Sequence, residues 1–439
     1  MGASRRTDAR APGRASRAAC ARIVGLAWLA VAAASIGPAT THAAGVDGQV
    51  EWRNVDRVLA FADVHGAYSE LVGLLRSQGV IDADLHWSAG RTQLVSLGDL
   101  LDRGDDSRKV MDLLMRLQPE AAAAGGGLQV VLGNHEAMNV LGDLRYVSPG
   151  DYAEYVADED PTTRKASEAD YLARNPGRTA QDFERLFPPG YFGHRALLGP
   201  QGKYGAWILR LPVAIVVNDT LFVHGGLSRA LDGRSVAALD RDYAQAIADY
   251  LATESELEAA GLLYFEDPYY QRADLAARRL AALAEGGRAP ALADAVERFR
   301  KADANPLLGP EGPNWYRGSA LCNECAEADV LKPLLRQAGV ARVVVGHTVA
   351  RQGTAVTRFD GALVKLDAGM NKAFYHGRAA LLISDASGIR VAYSDPVTPP
   401  APVPPEPLYV SSQSLDEGAV AALLAQGSVQ PVETCGPGV

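Results

Sequence analysis

The sequence predicts an α/β fold, with a parallel sheet and a second, partly antiparallel sheet flanked by helices. Three observations point there. Short apolar runs end abruptly on polar residues, as buried parallel strands do. Stretches with helical periodicity separate the first of these runs. Later runs follow one another closely, which suits antiparallel neighbours better than helical crossovers.

The first run, residues 58–61, ends at Asp63, and Tyr68, Leu71, Val72 and Leu75 then repeat at helical spacing. Residues 92–97 form the next run and end at Asp99. Val110, Leu113, Leu114 and Leu117 follow as an i, i+3, i+4, i+7 stripe that buries one helix face. Residues 128–132 deliver Asn134 and His135. Roughly thirty residues separate successive runs, enough for right-handed crossovers, so the three strands end on one sheet edge. Open α/β sheets place their ligands at that edge. Further strands are expected over residues 207–211, 213–217, 221–223, 342–345, 363–366, 379–383 and 389–393. Those at 221–223 and 342–345 deliver His224 and His347. Two insertions, residues 143–205 and 228–313, are rich in Ala, Arg and Glu with helical periodicity, and should wall or cap the site.

Of 439 residues, 48% are hydrophobic and 22% charged, an ordinary globular balance. Net charge is -9, yet the first 43 residues hold six arginines against Asp8 alone, so the remainder carries -14. So acidic a body argues against nucleic acid as a partner, because duplex binding needs basic groups that displace counterions. Residues 1–43 read as an export signal: arginines, an apolar stretch over 23–36, then Thr41-His42-Ala43. The stretch is shorter than the ~20 residues that span a bilayer. The expectation is a periplasmic or secreted protein without stable membrane insertion, and a catalytic domain over residues 48–395. In an oxidising compartment Cys322 and Cys325 are expected to close a local disulfide. Residues 396–439 form a proline-rich strap and tail. Nothing in the sequence sets the oligomeric state.

Five blocks carry the chemistry: Asp63-Val64-His65-Gly66, Gly98-Asp99-Leu100-Leu101-Asp102-Arg103-Gly104, Gly133-Asn134-His135-Glu136, His224-Gly225-Gly226 and Gly346-His347-Thr348. Asp63 and His65 sit two residues apart at a strand end, so both can reach one cation. Asp99 is the natural bridge, since a carboxylate has an oxygen for each of two metals. Asn134, His224 and His347 complete the second position. Oxygen and imidazole ligands without thiolate suit manganese, iron or zinc, with manganese the expected ion in vitro. Two divalent ions ~3.5–4 Å apart can share a hydroxide that attacks phosphorus in line. Such a pair, less two carboxylates and the hydroxide, leaves about one positive charge for a phosphate dianion. Arg103 and Arg317 are the expected phosphoryl clamps. His135 is cast as the acid that protonates the leaving oxygen, with Asp102 orienting its ring.

These blocks resemble the calcineurin-like metallophosphoesterases, within them the phosphoprotein phosphatase superfamily. The run Gly133 to Val147, together with Trp315-Tyr316-Arg317-Gly318 and Leu366-Asp367-Ala368-Gly369-Met370, is similar to the Shewanella-like protein phosphatase group. The resemblance implies a β-sandwich of two packed sheets flanked by helices, a dinuclear centre and phosphomonoester hydrolysis. It also implies Asp63, His65 and Asp99 for one metal, and Asp99, Asn134, His224 and His347 for the other. Its members include phosphatases that prefer phosphotyrosine. The expected substrate is therefore a phosphorylated protein or a small phosphomonoester. The competing readings are a nucleotide or dinucleoside-polyphosphate hydrolase, and a binding protein with a dead site.

Overall fold

The computed structural model describes residues 48–284 and 290–394. The export signal and the proline-rich strap expected from the sequence lie outside those residues. Eleven strands are described: β1 (Glu51–Trp52), β2 (Val58–Phe61), β3 (Gln93–Ser96), β4 (Gly127–Val130), β5 (Ala214–Val217), β6 (Thr220–Val223), β7 (Arg342–Val345), β8 (Val356–Arg358), β9 (Leu363–Lys365), β10 (Ala380–Asp385) and β11 (Gly388–Tyr393). They form two mixed sheets, ordered β11-β10-β2-β3-β4 and β1-β5-β6-β7-β9-β8.

Alternation along the strands explains why two sheets and a helical layer pack together. Val58, Ala60, Val95, Ile215, Val217, Phe222 and Val344 join one apolar layer between the sheets. Their neighbours Leu59, Phe61, Leu94, Val216, Leu221 and Val343 belong to the larger core beneath the helices. Both faces are thus apolar, and burial of each large side chain contributes ~1.5–3 kcal/mol. In the first sheet β2, β3 and β4 are parallel. They are joined by α1 (Tyr68–Ser77) and α2 (Ser107–Ala123), and α2 buries the predicted stripe of Val110, Leu113, Leu114 and Leu117. Helix α3 (Asn134–Leu141) follows β4. In the second sheet β6 and β7 are parallel.

The insertions are helical, as expected. The first holds α4 (Pro149–Ala153), α5 (Pro161–Arg174), α6 (Ala180–Leu186), α7 (Tyr191–Leu198) and the start of α8 (Lys203–Ile208). The second holds α9 (Val236–Ala259), α10 (Arg272–Ala284) and α11 (Pro290–Asp303). Beyond them come α12 (Gly318–Leu321), α13 (Glu324–Ala338) and α14 (Lys372–Tyr375). No helix among the described residues is long and apolar enough to cross a membrane.

Three expectations need correction. Residues 207–211 are not a strand: Trp207 and Ile208 end α8, and the amides of Leu209, Arg210 and Leu211 close turns onto Gly205, Trp207 and Ile208. A short, mostly apolar run fits a buried helix end as well as a strand, and here the Trp207 indole reaches Gln118 on α2 at 3.0 Å. Strands β10 and β11 belong to the first sheet, because β10 pairs antiparallel with β2 on one side and with β11 on the other. Cys322 and Cys325 do not form a local ring. Cys322 is disulfide-bonded, whereas Cys325 is a free, exposed thiol. Cys322 is buried, while the Cys325 amide is capped by Asn323 on the exposed first turn of α13.

Candidate active site

Five strand ends meet in one place. Beyond β2, β3 and β4 lie Asp63, Asp99 and Asn134, and beyond β6 and β7 lie His224 and His347. The site therefore draws on both sheets. Backbone bonds hold the loops together. The amides of Val64 and His65 donate to the Asp99 carbonyl at 2.8 and 2.9 Å, and Gly346 donates to the His224 carbonyl at 2.8 Å. The His347 amide donates to both oxygens of Asp63, at 2.9 and 3.0 Å. Tight loops account for this proximity: a Cβ on Gly98 would lie 2.4 Å from the Gly133 nitrogen. His65, Asp99, Asp102, Arg103 and His347 all adopt positive φ, a backbone state that costs about 1–3 kcal/mol at non-glycine residues. The pairing of Asp63 with His65 thus comes from a turn, not from extended chain.

Asp99 sits at the middle. Its Oδ2 faces His224 Nε2 at 3.2 Å, His65 Nε2 at 3.6 Å and His135 Nε2 at 3.9 Å. His224 Nε2 also lies 2.9 Å from Asn134 Oδ1 and 3.2 Å from His347 Nδ1. Two groups have donor atoms close enough to share a cation: His65, Asp99 and His135, and Asp99, His224 and His347. Asp63 lies at the edge of the first group, 3.8 Å from His65 Nε2.

Divalent cations fit these residues. His65 Nδ1 and His224 Nδ1 are each 2.8 Å from a backbone carbonyl, of Leu101 and Leu97, which turns Nε2 toward the centre. His347 Nε2 is buried with no protein partner. Burial lowers the His65 and His347 imidazoles well below their ordinary range and keeps them neutral. Burial works to raise the Asp99 carboxyl, but His224, His135 and His65 hold it well below the ordinary range. His65 and His347 thus offer neutral donors beside an ionised carboxylate, whereas Asp99 outweighs burial and holds His224 up at about 9, a proton that a bound cation would displace.

Around this centre His135 Nδ1 meets Asp102 Oδ2 at 2.5 Å, and Asn139 donates to the other Asp102 oxygen at 3.0 Å. Arg103 reaches His65 Nε2 and is boxed by the rings of Tyr146, Phe374 and Tyr375, 5.3–5.6 Å from its guanidinium. Arg317 donates to the His347 carbonyl at 2.7 Å and to Thr348 Oγ1 at 3.0 Å. All ten residues singled out from the sequence therefore gather here.

The sequence model of the calcineurin-like phosphoesterases matches residues 56–351. The chain belongs to that family. This calcineurin-like phosphoesterase is 27% identical over 363 residues to Shewanella-like protein phosphatase 2 of Arabidopsis thaliana, covering 80% of each chain. It is 25% identical over 188 residues to Shewanella-like protein phosphatase 1 of Plasmodium berghei, covering 43% of each. Among solved structures, the cold-active protein-tyrosine phosphatase of a psychrophilic Shewanella species matches with a TM-score of 0.46 and 25% identity, over 79% of this chain and 80% of that one. The phosphoesterase is metal-dependent by family.

Several residues of this phosphoesterase escaped the sequence reading. Glu136 accepts from the amides of Asp99, Leu100 and Gly133 at 2.8, 2.7 and 3.0 Å, so it staples two blocks together. Its place three residues into α3, where a capping glutamate sits, was the available signal. Asn371 donates to the His65 carbonyl at 2.8 Å. Asp367 is fully buried, and burial with Asp63 beside it pushes its carboxyl well above the ordinary range. Asn371 had no local signal, since it acts across 306 residues, and Asp367 entered the sequence reading only as part of the run Leu366 to Met370, without a role.

Proposed function

We propose that this metal-dependent phosphoesterase is a dinuclear phosphomonoester hydrolase acting on phosphorylated proteins, with phosphotyrosine preferred. The observation that carries this reading is Asp99, ringed by His224, His65 and His135 at 3.2–3.9 Å from separate loops. Asp63, His65 and Asp99 would hold one ion, and Asp99, Asn134, His224 and His347 the other; manganese, iron and zinc all suit these donors. Bound there, the two ions supply Lewis-acid charge and activate the attacking water.

The chain's own residues do the rest. Asp102, fixed by Asn139, holds His135 by Nδ1, so Nε2 faces the centre and delivers a proton to the leaving oxygen. Arg103 and Arg317 grip phosphoryl oxygens through charge-assisted bonds. Kinship with Shewanella-like protein phosphatase 2 supports a phosphoprotein substrate. An aryl ester suits the rings that surround Arg103.

Turnover by the manganese-loaded protein tests the proposal. The substrates are p-nitrophenyl phosphate, phosphotyrosine and phosphoserine peptides, bis-p-nitrophenyl phosphate and diadenosine tetraphosphate. Fastest hydrolysis of the phosphotyrosine peptide is expected. Preference for the diester or the dinucleotide would overturn the monoesterase reading.

A further inference from the structure

Helix α3 carries the candidate ligand Asn134 and the acid His135 on its first turn. It is only eight residues long, and all eight are buried. A helix that short is marginal by itself, so its direction depends on what grips its two ends. Glu136 secures the start through the amides of Asp99 and Gly133. The other end presents carbonyls that have no partner inside the helix. The following turn meets part of this need, with the Asp143 amide 2.8 Å from the Met138 carbonyl and the Gly142 amide 3.3 Å from that of Asn139.

Two arginines complete the grip, one from each insertion. Arg195 of α7 donates to the Asn139 carbonyl at 2.6 Å, and Arg272, at the start of α10, donates to the Leu141 carbonyl at 2.8 Å. Cations suit this end, where the helix dipole places partial negative charge. Arg272 is buried and also pairs with Glu254 of α9, so its guanidinium is held from two sides. Its close approach requires the glycine that ends the helix. Gly142 has a φ of 83°, and a Cβ there would lie 2.8 Å from Arg272 Nη2. Arg195, in turn, holds the residue whose side chain reaches into the site. Asn139 Nδ2 donates to Asp102 Oδ1 at 3.0 Å, and Asp102 Oδ2 meets His135 Nδ1 at 2.5 Å. An unbroken line of contacts thus runs from the first insertion to the acid.

We propose that Arg195 and Arg272 are positioning residues for proton delivery: by fixing the end of α3 they keep His135 aimed at the leaving oxygen. The inference rests on the phosphomonoesterase reading and gives the insertions a part in the reaction itself. Both guanidiniums act at the opposite end of α3 from His135, so their effect is on orientation, where a misplacement of ~1 Å costs up to ~10²-fold in rate. Steady-state kinetics of the full manganese-loaded protein would compare p-nitrophenyl phosphate with phenyl phosphate. The esters are close in shape, but phenoxide is the poorer leaving group and depends more on the proton. The variants are Arg195→Gln and Arg195→Lys, at a half-buried position, and Arg272→Gln. The last is combined with Glu254→Gln, so that no buried carboxylate loses its partner.

Arg195→Gln should lower kcat for phenyl phosphate about tenfold and kcat for p-nitrophenyl phosphate less than about threefold, with KM and bound manganese unchanged. Arg195→Lys keeps a cationic donor and should recover most of the loss. The paired variant should repeat the selective loss; if it does not fold, Arg195→Gln decides by itself. Equal losses with the two esters, or kcat within about twofold of wild type for both, overturn the positioning role while the hydrolase reading stands. Wild-type protein that hydrolyses neither ester removes the hydrolase reading and this role with it.

Discussion

The centre and its mouth are built differently. Around Asp99 the side chains are buried and held by backbone amides and carbonyls from five loops. At the mouth, Arg145, Tyr146 and Tyr270 hold one another by side-chain contacts, and much of their surface meets water. The contrast teaches where each property resides. Chemistry needs atoms fixed to fractions of an ångström, which strand ends and backbone bonds provide. Selectivity tolerates variation, so it suits insertions and loops.

Four substitutions sharpen this division. Asp99→Ala should have the largest effect, because it removes the carboxylate common to both groups of donor atoms. Bound metal and turnover are both expected to vanish, read by elemental analysis and p-nitrophenyl phosphate hydrolysis. His135→Ala should keep two metal equivalents yet lose ~10²–10⁴-fold in rate, least with good leaving groups. Loss of one equivalent would instead make His135 a ligand, as its place near His65 and Asp99 allows.

Glu136→Ala tests the staple. It strands three buried amides, and global stability should fall by ~2–4 kcal/mol in urea unfolding. A change under ~1 kcal/mol would show that the loops hold without it. Arg298→Ala, in the second insertion, breaks an ion pair with Glu256 whose members are about half exposed. Its stability change should stay within ~0.5 kcal/mol. A larger loss would mean that the insertion is as tightly integrated as the centre.

Much of this centre was legible because each ligand candidate follows a buried strand, where a polar residue has few structural reasons to sit. Asp63, Asp99, Asn134, His224 and His347 stood out on that ground. The positive φ of His65, Asp99 and His347 was not legible, since non-glycine residues enter that region only when tertiary contacts impose it. Asn371 was missed as an anchor because its partner lies 306 residues away, and Glu136 read locally as a helix cap gives no sign of its bonds to Asp99 and Leu100, 37 and 36 residues away. Trp207 was misread because local apolarity does not distinguish a helix end from a strand. Sheet membership of β10 depended on the open edge of β2, a property of the assembled fold.

Metal titration tests the central claim most directly. Metal-free protein titrated with manganese should bind two equivalents, and p-nitrophenyl phosphate hydrolysis should appear as the second site fills. Asp99→Ala protein treated in the same way should bind neither ion and stay inactive. Full hydrolysis by metal-free protein, or by Asp99→Ala, would contradict the account.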